Sequence, residues 1–84
     1  LANEWAEDGI RVIAVAPGYV KTPLIQRSID AGELDEARLA AMHPMNRLAT
    51  TQEIAAAIIA LTRPPFLFMT GSVVTIDGGM TLGK

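Results

Sequence analysis

The stretch GIRVIAVAPGYVKTPL, Gly9 to Leu24, decides the fold. Ile10 to Ala16 is a short run rich in Ile and Val, with one charge, Arg11, near its start and Pro17-Gly18 at its end. Apolar residues that run on without alternation predict a strand covered on both faces, as in a parallel sheet. Upstream, Leu1, Ala2, Trp5 and Ala6 recur at helical spacing, and Gly9 stands where a helix commonly ends in a left-handed residue. Downstream, Thr22 before Pro23 pairs a capping hydroxyl with a proline suited to the first helical position. That pairing predicts a helix from Pro23 to about Ala31, ending at Gly32.

A second helical stretch, roughly Asp35 to Met42, stops before His43-Pro44, because the residue ahead of a proline resists the α region. Thr50 and Glu53 have the spacing of a capping box, and behind them Ile54, Ala55, Ile58, Ile59 and Leu61 form an apolar stripe. Pro64-Pro65 ends this helix and Thr70-Gly71 turns the chain. Ser72 to Ile76 then makes a second β-branched strand, closed by Asp77-Gly78-Gly79. The order describes an α/β protein built on a parallel β-crossover-β unit with a right-handed connection. Two parallel strands are too small a sheet to be stable alone, so the isolated chain is expected to fold poorly.

Composition agrees with an incomplete unit. The chain has 84 residues, 50% of them apolar, enough for one small domain. A domain of that size buries only about 60% of its unfolded surface, so not all these apolar residues can find cover within the chain. The sequence also opens at Leu1 inside a helical pattern, which reads as sequence missing before it. Seven basic and nine acidic residues, net −2, are dispersed along the chain and form no basic stripe, which argues against nucleic acid as a partner. The absence of cysteine leaves neither a disulfide framework nor a thiolate metal site and favours an intracellular chain. Apolar runs such as Ala55 to Leu61 fall far short of the ~20 residues of a membrane span. Glu4, Glu7 and Asp8 stand where a secretory signal carries basic residues. The expectation is a cytoplasmic protein with no membrane partner.

Pro17 to Thr22 is the first candidate site. It lies just past the C-terminal end of a buried strand, where open parallel sheets bind their ligands. A glycine there permits close backbone approach to a flat ligand, and backbone N–H and C=O groups offer a paired donor and acceptor for an amide. Thr22 adds a hydroxyl. The same residues also read as a plain turn and a helix cap, and spacing alone leaves both readings open. His43 has no acid or metal partner within reach by sequence and reads as a helix-end or surface residue. The pairs Glu7-Asp8 and Asp35-Glu36 read as solvated faces, and Asp77 as a turn residue bonding its own backbone. No metal-ligand set is present.

GIRVIAVAPGYVKTPL, the helix opening TTQEIA and the closing MTGSVVTIDGG are individually common. Together, in this order and spacing, they resemble the C-terminal part of the short-chain dehydrogenase/reductase fold, over essentially the whole chain. The resemblance implies a doubly wound, Rossmann-like parallel sheet, of which residues 1–84 are the last segment of a single dinucleotide-binding domain. It implies that Pro17 and Gly18 shape the turn beside a nicotinamide, that Val20 bonds the carboxamide through its backbone, and that Thr22 contacts the carboxamide or a phosphate. Residues 23–45 match the family's substrate-covering region, where Leu24, Ile25, Met42 and Met45 are candidates for an apolar pocket wall, with helix packing the simpler role for each. Arg63-Pro64-Pro65 departs from the family pattern and puts the conformation of that loop in doubt.

The implied activity is an NAD- or NADP-dependent interconversion of a secondary alcohol and a ketone, in a homo-oligomer, tetramer or dimer. No proton-transfer residue is assigned in this chain. The only tyrosine is Tyr19, and no lysine follows at the fourth position. The family's Tyr-x-x-x-Lys pair is expected roughly three helical turns before Leu1, and its serine earlier still. No Gly-rich phosphate loop opens a first helix, and the residue that tells NAD from NADP belongs to an earlier strand. The isolated chain is therefore expected to be inert. The alternative is a non-catalytic fragment that acts only by packing against a complementary chain or subunit.

Overall fold

The computed structural model describes residues 1–82, so Gly83 and Lys84 of the expected unit lie outside it. A short helix α1 (Ala2–Trp5) tightens into a 3-10 turn over Ala6–Asp8 and ends at Gly9, whose φ of 75° is the left-handed stop anticipated there. Strand β1 (Ala14–Pro17) follows, then α2 (Pro23–Asp30), α3 (Glu36–Ala41), α4 (Thr51–Ala60) and strand β2 (Val73–Ile76). The strands pair in parallel, Ala14 beside Val73 through Pro17 beside Ile76. The three helices form the crossover between them.

β1 starts later than the apolar run suggests. At Val12 the amide donates to the Thr70 hydroxyl rather than to a carbonyl, while the Val12 carbonyl accepts from Gly71 N–H. Regular strand pairing begins only with Ala14 N–H on Ser72 O. Arg11 is not an idle charge at the strand's start. Its guanidinium donates to the carbonyls of Leu61, Phe66 and Met69 and so anchors the whole connection from α4 to β2. That connection contains a cis Pro64-Pro65 bond and a 3-10 turn over Phe66–Phe68, where the sequence departed from the family pattern.

Helix starts follow the caps closely. Thr22 Oγ1 accepts from Ile25 N–H at 3.2 Å with Pro23 at the first helical position. Asp35 caps α3 through Ala37 N–H. The capping box of α4 is complete: Thr50 Oγ1 accepts from Glu53 N–H, and Glu53 Oε1 accepts from Thr50 N–H. Such a cap stabilises a helix by about 1 kcal/mol.

As composition implied, much of the apolar surface finds no cover within the chain. Leu48 and Leu61 are the buried apolar residues among those described, while β1 shows Ala14 to solvent and Val73 of β2 is 67% exposed. The α4 stripe is also largely open, with Ile58 and Ile59 exposed and only Leu61, just past the helix, buried. A helix apolar on several sides is ordinarily buried. The radius of gyration is 15.7 Å, against about 12 Å for a compact domain of this length. Among the described residues no helix is long and apolar enough to cross a membrane.

Candidate functional site

Three loops meet beyond the C-terminal ends of the two strands: Gly18 to Lys21 after β1, Asp77 to Gly79 after β2, and His43 to Ala49 between α3 and α4. Gly18 N–H extends the strand ladder to Ile76 O at 3.1 Å. A Cβ added to Gly18 would sit 2.8 Å from His43 Nε2 and 3.1 Å from the Asp77 Cα, so the three loops touch where only glycine fits.

The Asp77 turn is built as its residue types suggest. Asp77 Oδ1 accepts from Gly79 N–H and Oδ2 from Thr81 N–H, and these bonds, Thr81's foremost, hold the carboxyl below its ordinary pKa. Gly79, at φ 90°, brings its Cα against the Pro44 ring. The Gly78 carbonyl accepts from Met45 N–H at 3.0 Å. Asp77 is thus a turn-forming residue.

The loop after β1 is held nearly group by group. A single parallel bridge joins Val20 to Ala49, made by Ala49 N–H on Tyr19 O and Lys21 N–H on Ala49 O. Tyr19 N–H donates to His43 Nε2 at 3.1 Å. Of the four amides from Gly18 to Lys21, those of Gly18, Tyr19 and Lys21 are therefore engaged within the protein. In a parallel bridge the bonded groups belong to the residues flanking the bridged one, so Val20's own N–H and C=O face away from Ala49. The Val20 carbonyl accepts from Thr22 N–H at 2.8 Å, and its N–H makes no hydrogen bond among the described residues. An N–H held in place yet uncommitted is the donor an amide ligand needs. Thr22's hydroxyl spends one lone pair on Ile25 and keeps its proton to donate.

The four residues expected at a substrate wall are spread out. Leu24 and Ile25 lie in the first turn of α2, Met42 is the C-cap of α3, and Met45 follows Pro44. Met45 lines a cavity of about 230 Å³ together with Gly18, Tyr19, His43 and Ile76. Leu24, Ile25 and Met42 do not line that cavity, nor do Pro17, Val20 and Thr22. Leu24, Met42 and Met45 are all exposed.

Two residues at the junction were not anticipated. His43 does follow a helix, but it is no surface residue: at 2% exposure it is the most buried side chain described. The cue was its position four residues after Leu39, whose carbonyl receives the Nδ1 side of the ring at 2.9 Å. Arg47 forms a two-pronged pair with Glu53, both N···O distances 2.7 Å, and also reaches the Leu48 carbonyl. The Arg47 hydrogen bonds, seconded by the Thr50 amide, lower the Glu53 pKa to about 2. A depressed carboxylate stabilises the fold above its ordinary range, and that contribution is lost as pH falls through the folded value. Between about pH 4.5 and about 2, the Thr50 amide should therefore lose protection relative to its intrinsic exchange rate. Glu53→Gln should abolish that pH dependence in an amide-exchange NMR series. A wild-type Thr50 amide with constant protection across this window would refute the assignment. Among the described residues no group of three or more His, Cys, Asp or Glu is placed to hold a metal ion.

The chain resembles known proteins over nearly its whole length. Residues 1–81 match the family profile described as enoyl-(acyl carrier protein) reductase. The chain is 44% identical over 82 residues to the galactitol 2-dehydrogenase (L-tagatose-forming) of Cereibacter sphaeroides, covering 98% of this chain and 32% of that protein. Among solved structures, ElxO with NADP bound superposes with a TM-score of 0.88 at 43% identity, over 96% of this chain and 33% of ElxO. A short chain dehydrogenase family protein from Francisella tularensis gives 0.84 at 36% identity, over 98% and 37%. The chain thus spans about a third of the length of each of these relatives.

Proposed function

Because this chain belongs to the short-chain dehydrogenase/reductase family, we propose that it forms the C-terminal segment of the dinucleotide-binding domain of an NAD- or NADP-dependent oxidoreductase. The reaction is the interconversion of a secondary alcohol and a ketone on a small molecule. Pro17, Gly18, Val20 and Thr22 face the nicotinamide end of the cofactor.

The observation that carries this reading is the uncommitted Val20 N–H in a loop whose other amides are engaged. That N–H donates to the carboxamide oxygen. The Thr22 hydroxyl donates to the carboxamide or a phosphate while continuing to cap α2. Gly18, lacking a Cβ, lets the loop pack against Asp77 and His43. The cofactor, when bound, supplies or accepts the hydride. This chain's part is to hold the ring in one orientation, which is worth several kcal/mol of barrier in a well-aligned site. ElxO, with NADP bound, supports the cofactor class. Residues 23–45 cover the substrate, with Leu24, Ile25, Met42 and Met45 supplying apolar surface.

Proton transfer is assigned to residues elsewhere in the whole protein, since Tyr19 is followed at the fourth position by Pro23 and not by a lysine. The exposed Ile58 and Ile59 on α4 favour burial against the rest of the domain or another subunit of a cytoplasmic homo-oligomer. The same exposed surface also favours the second reading, a non-catalytic segment that acts only by packing against a complementary chain. Turnover assays separate the two. The whole protein should oxidise NADH or NADPH with a panel of ketones, and the isolated 84-residue chain should not. A whole protein that binds neither cofactor would sink the enzymatic reading, and turnover by the isolated chain would sink the division of labour.

A further inference from the structure

His43 lies at the centre of the three-loop junction, and its hydrogen bonds set its tautomer. A backbone N–H can only donate, so Nε2 must accept from Tyr19 at 3.1 Å. A backbone carbonyl can only accept, so Nδ1 must carry the proton toward Leu39 O at 2.9 Å. The ring joins the last turn of α3, which the reading above places in the substrate cover, to the loop that presents Val20. Two further contacts fix it. Tyr19 packs edge-on, with ring centroids 5.9 Å apart and planes at 80°, and the ring lies so close to Gly18 that a Cβ there would come within 2.8 Å of Nε2.

We propose that His43 is a positioning residue, its Nε2 holding the Tyr19 amide and its Nδ1–H the end of α3, so that cofactor seating and substrate cover depend on one ring. This rests on the reading that the loop faces the nicotinamide. Tyr19 and Val20 are consecutive, so a Tyr19 amide released from Nε2 frees the Gly18–Tyr19 peptide plane and leaves Ala49 N–H on Tyr19 O as the one bond among the described residues holding the next plane, which carries the Val20 N–H. The ring acts through the backbone it holds.

Two substitutions in the whole protein separate the ring's two bonds. In His43→Gln the amide oxygen falls near the place of Nε2 and keeps an acceptor for Tyr19. In His43→Asn the amide falls near the place of Nδ1 and keeps a donor for Leu39 but loses the Tyr19 acceptor. His43→Gln should hold the dissociation constant for NADH or NADPH within about twofold of wild type. His43→Asn should raise it about tenfold, the scale of one lost hydrogen bond, and should deprotect the Tyr19 amide in the cofactor-free protein. Equal affinity for the two variants, whether both native or both impaired, would overturn the proposal. A nitrogen-15 spectrum of the wild-type imidazole needs no variant: protonated Nδ1 and unprotonated Nε2 are expected, and a proton on Nε2 would also overturn it. If the wild type binds neither cofactor, the functional reading fails instead, while the imidazole and Tyr19 amide spectra still decide the role of His43.

Discussion

Produced on its own, the 84-residue segment should unfold without a cooperative transition and should associate at micromolar concentrations. The cause is cover. Leu48 and Leu61 are the apolar side chains buried among the described residues, whereas Ile59 is 57% exposed and Phe68 wholly so. The sheet has two strands, so each has an outer edge whose N–H and C=O groups invite pairing with another chain. Parallel sheets need both faces covered, and here neither strand is buried along its length. Circular dichroism melts with light scattering test this. A sharp two-state melt of a monomer would show that the segment is a domain in its own right.

The second large effect is expected at Gly18. Alanine there places a methyl group 2.8 Å from His43 Nε2 and 3.1 Å from the Asp77 Cα. Relief requires either that the His43 ring retreat, breaking its bond to Tyr19, or that the loop lift off Asp77, weakening Gly18 N–H on Ile76 O. Both movements carry Val20 away. Overpacking of this kind costs about 1–3 kcal/mol, so the whole protein with Gly18→Ala should melt lower and bind NADH or NADPH at least about tenfold more weakly. Gly32 is the control. Its φ of 78° makes alanine strained by about 1–2 kcal/mol, yet nothing lies within 4 Å of the added methyl. Gly32→Ala should therefore lower stability and leave cofactor affinity intact. Native affinity in Gly18→Ala would show that the loop's close packing does not bear on cofactor binding.

The parts of this structure that were legible in the sequence are those controlled by local chemistry. Thr22-Pro23, Asp35 and the Thr50–Glu53 box fix three helix starts because a cap is a bond between near neighbours in the chain. The Asp77-Gly78-Gly79 turn is local for the same reason. β1 is different. Its apolar run begins at Ile10, but the register depends on Thr70 and Gly71, about 58 residues away, and no local signal says where pairing becomes regular.

Burial was the least legible property. The run pattern of Ile10 to Ala16 predicted a strand covered on both faces, whereas composition implied that not all the apolar residues find cover within the chain, and β1, β2 and α4 are largely open. His43 fails in the opposite direction. A lone histidine before a proline looks solvated, yet Tyr19, 24 residues earlier, supplies the donor that makes burial affordable. The loop after β1 occupies a middle ground. Pro17-Gly18 and Thr22 mark a turn and a cap, but that Val20 alone keeps its amide follows only from the bridge to Ala49.

That amide offers the most direct test of the account. In the whole protein, amide hydrogen exchange followed by NMR with and without NADH or NADPH reports on Val20 by itself. The account predicts that the Val20 N–H exchanges freely without cofactor, while Gly18, Tyr19 and Lys21 are already protected, and that saturating cofactor slows Val20 exchange by tenfold or so. Exchange at Val20 that stays unchanged when the cofactor binds would contradict it.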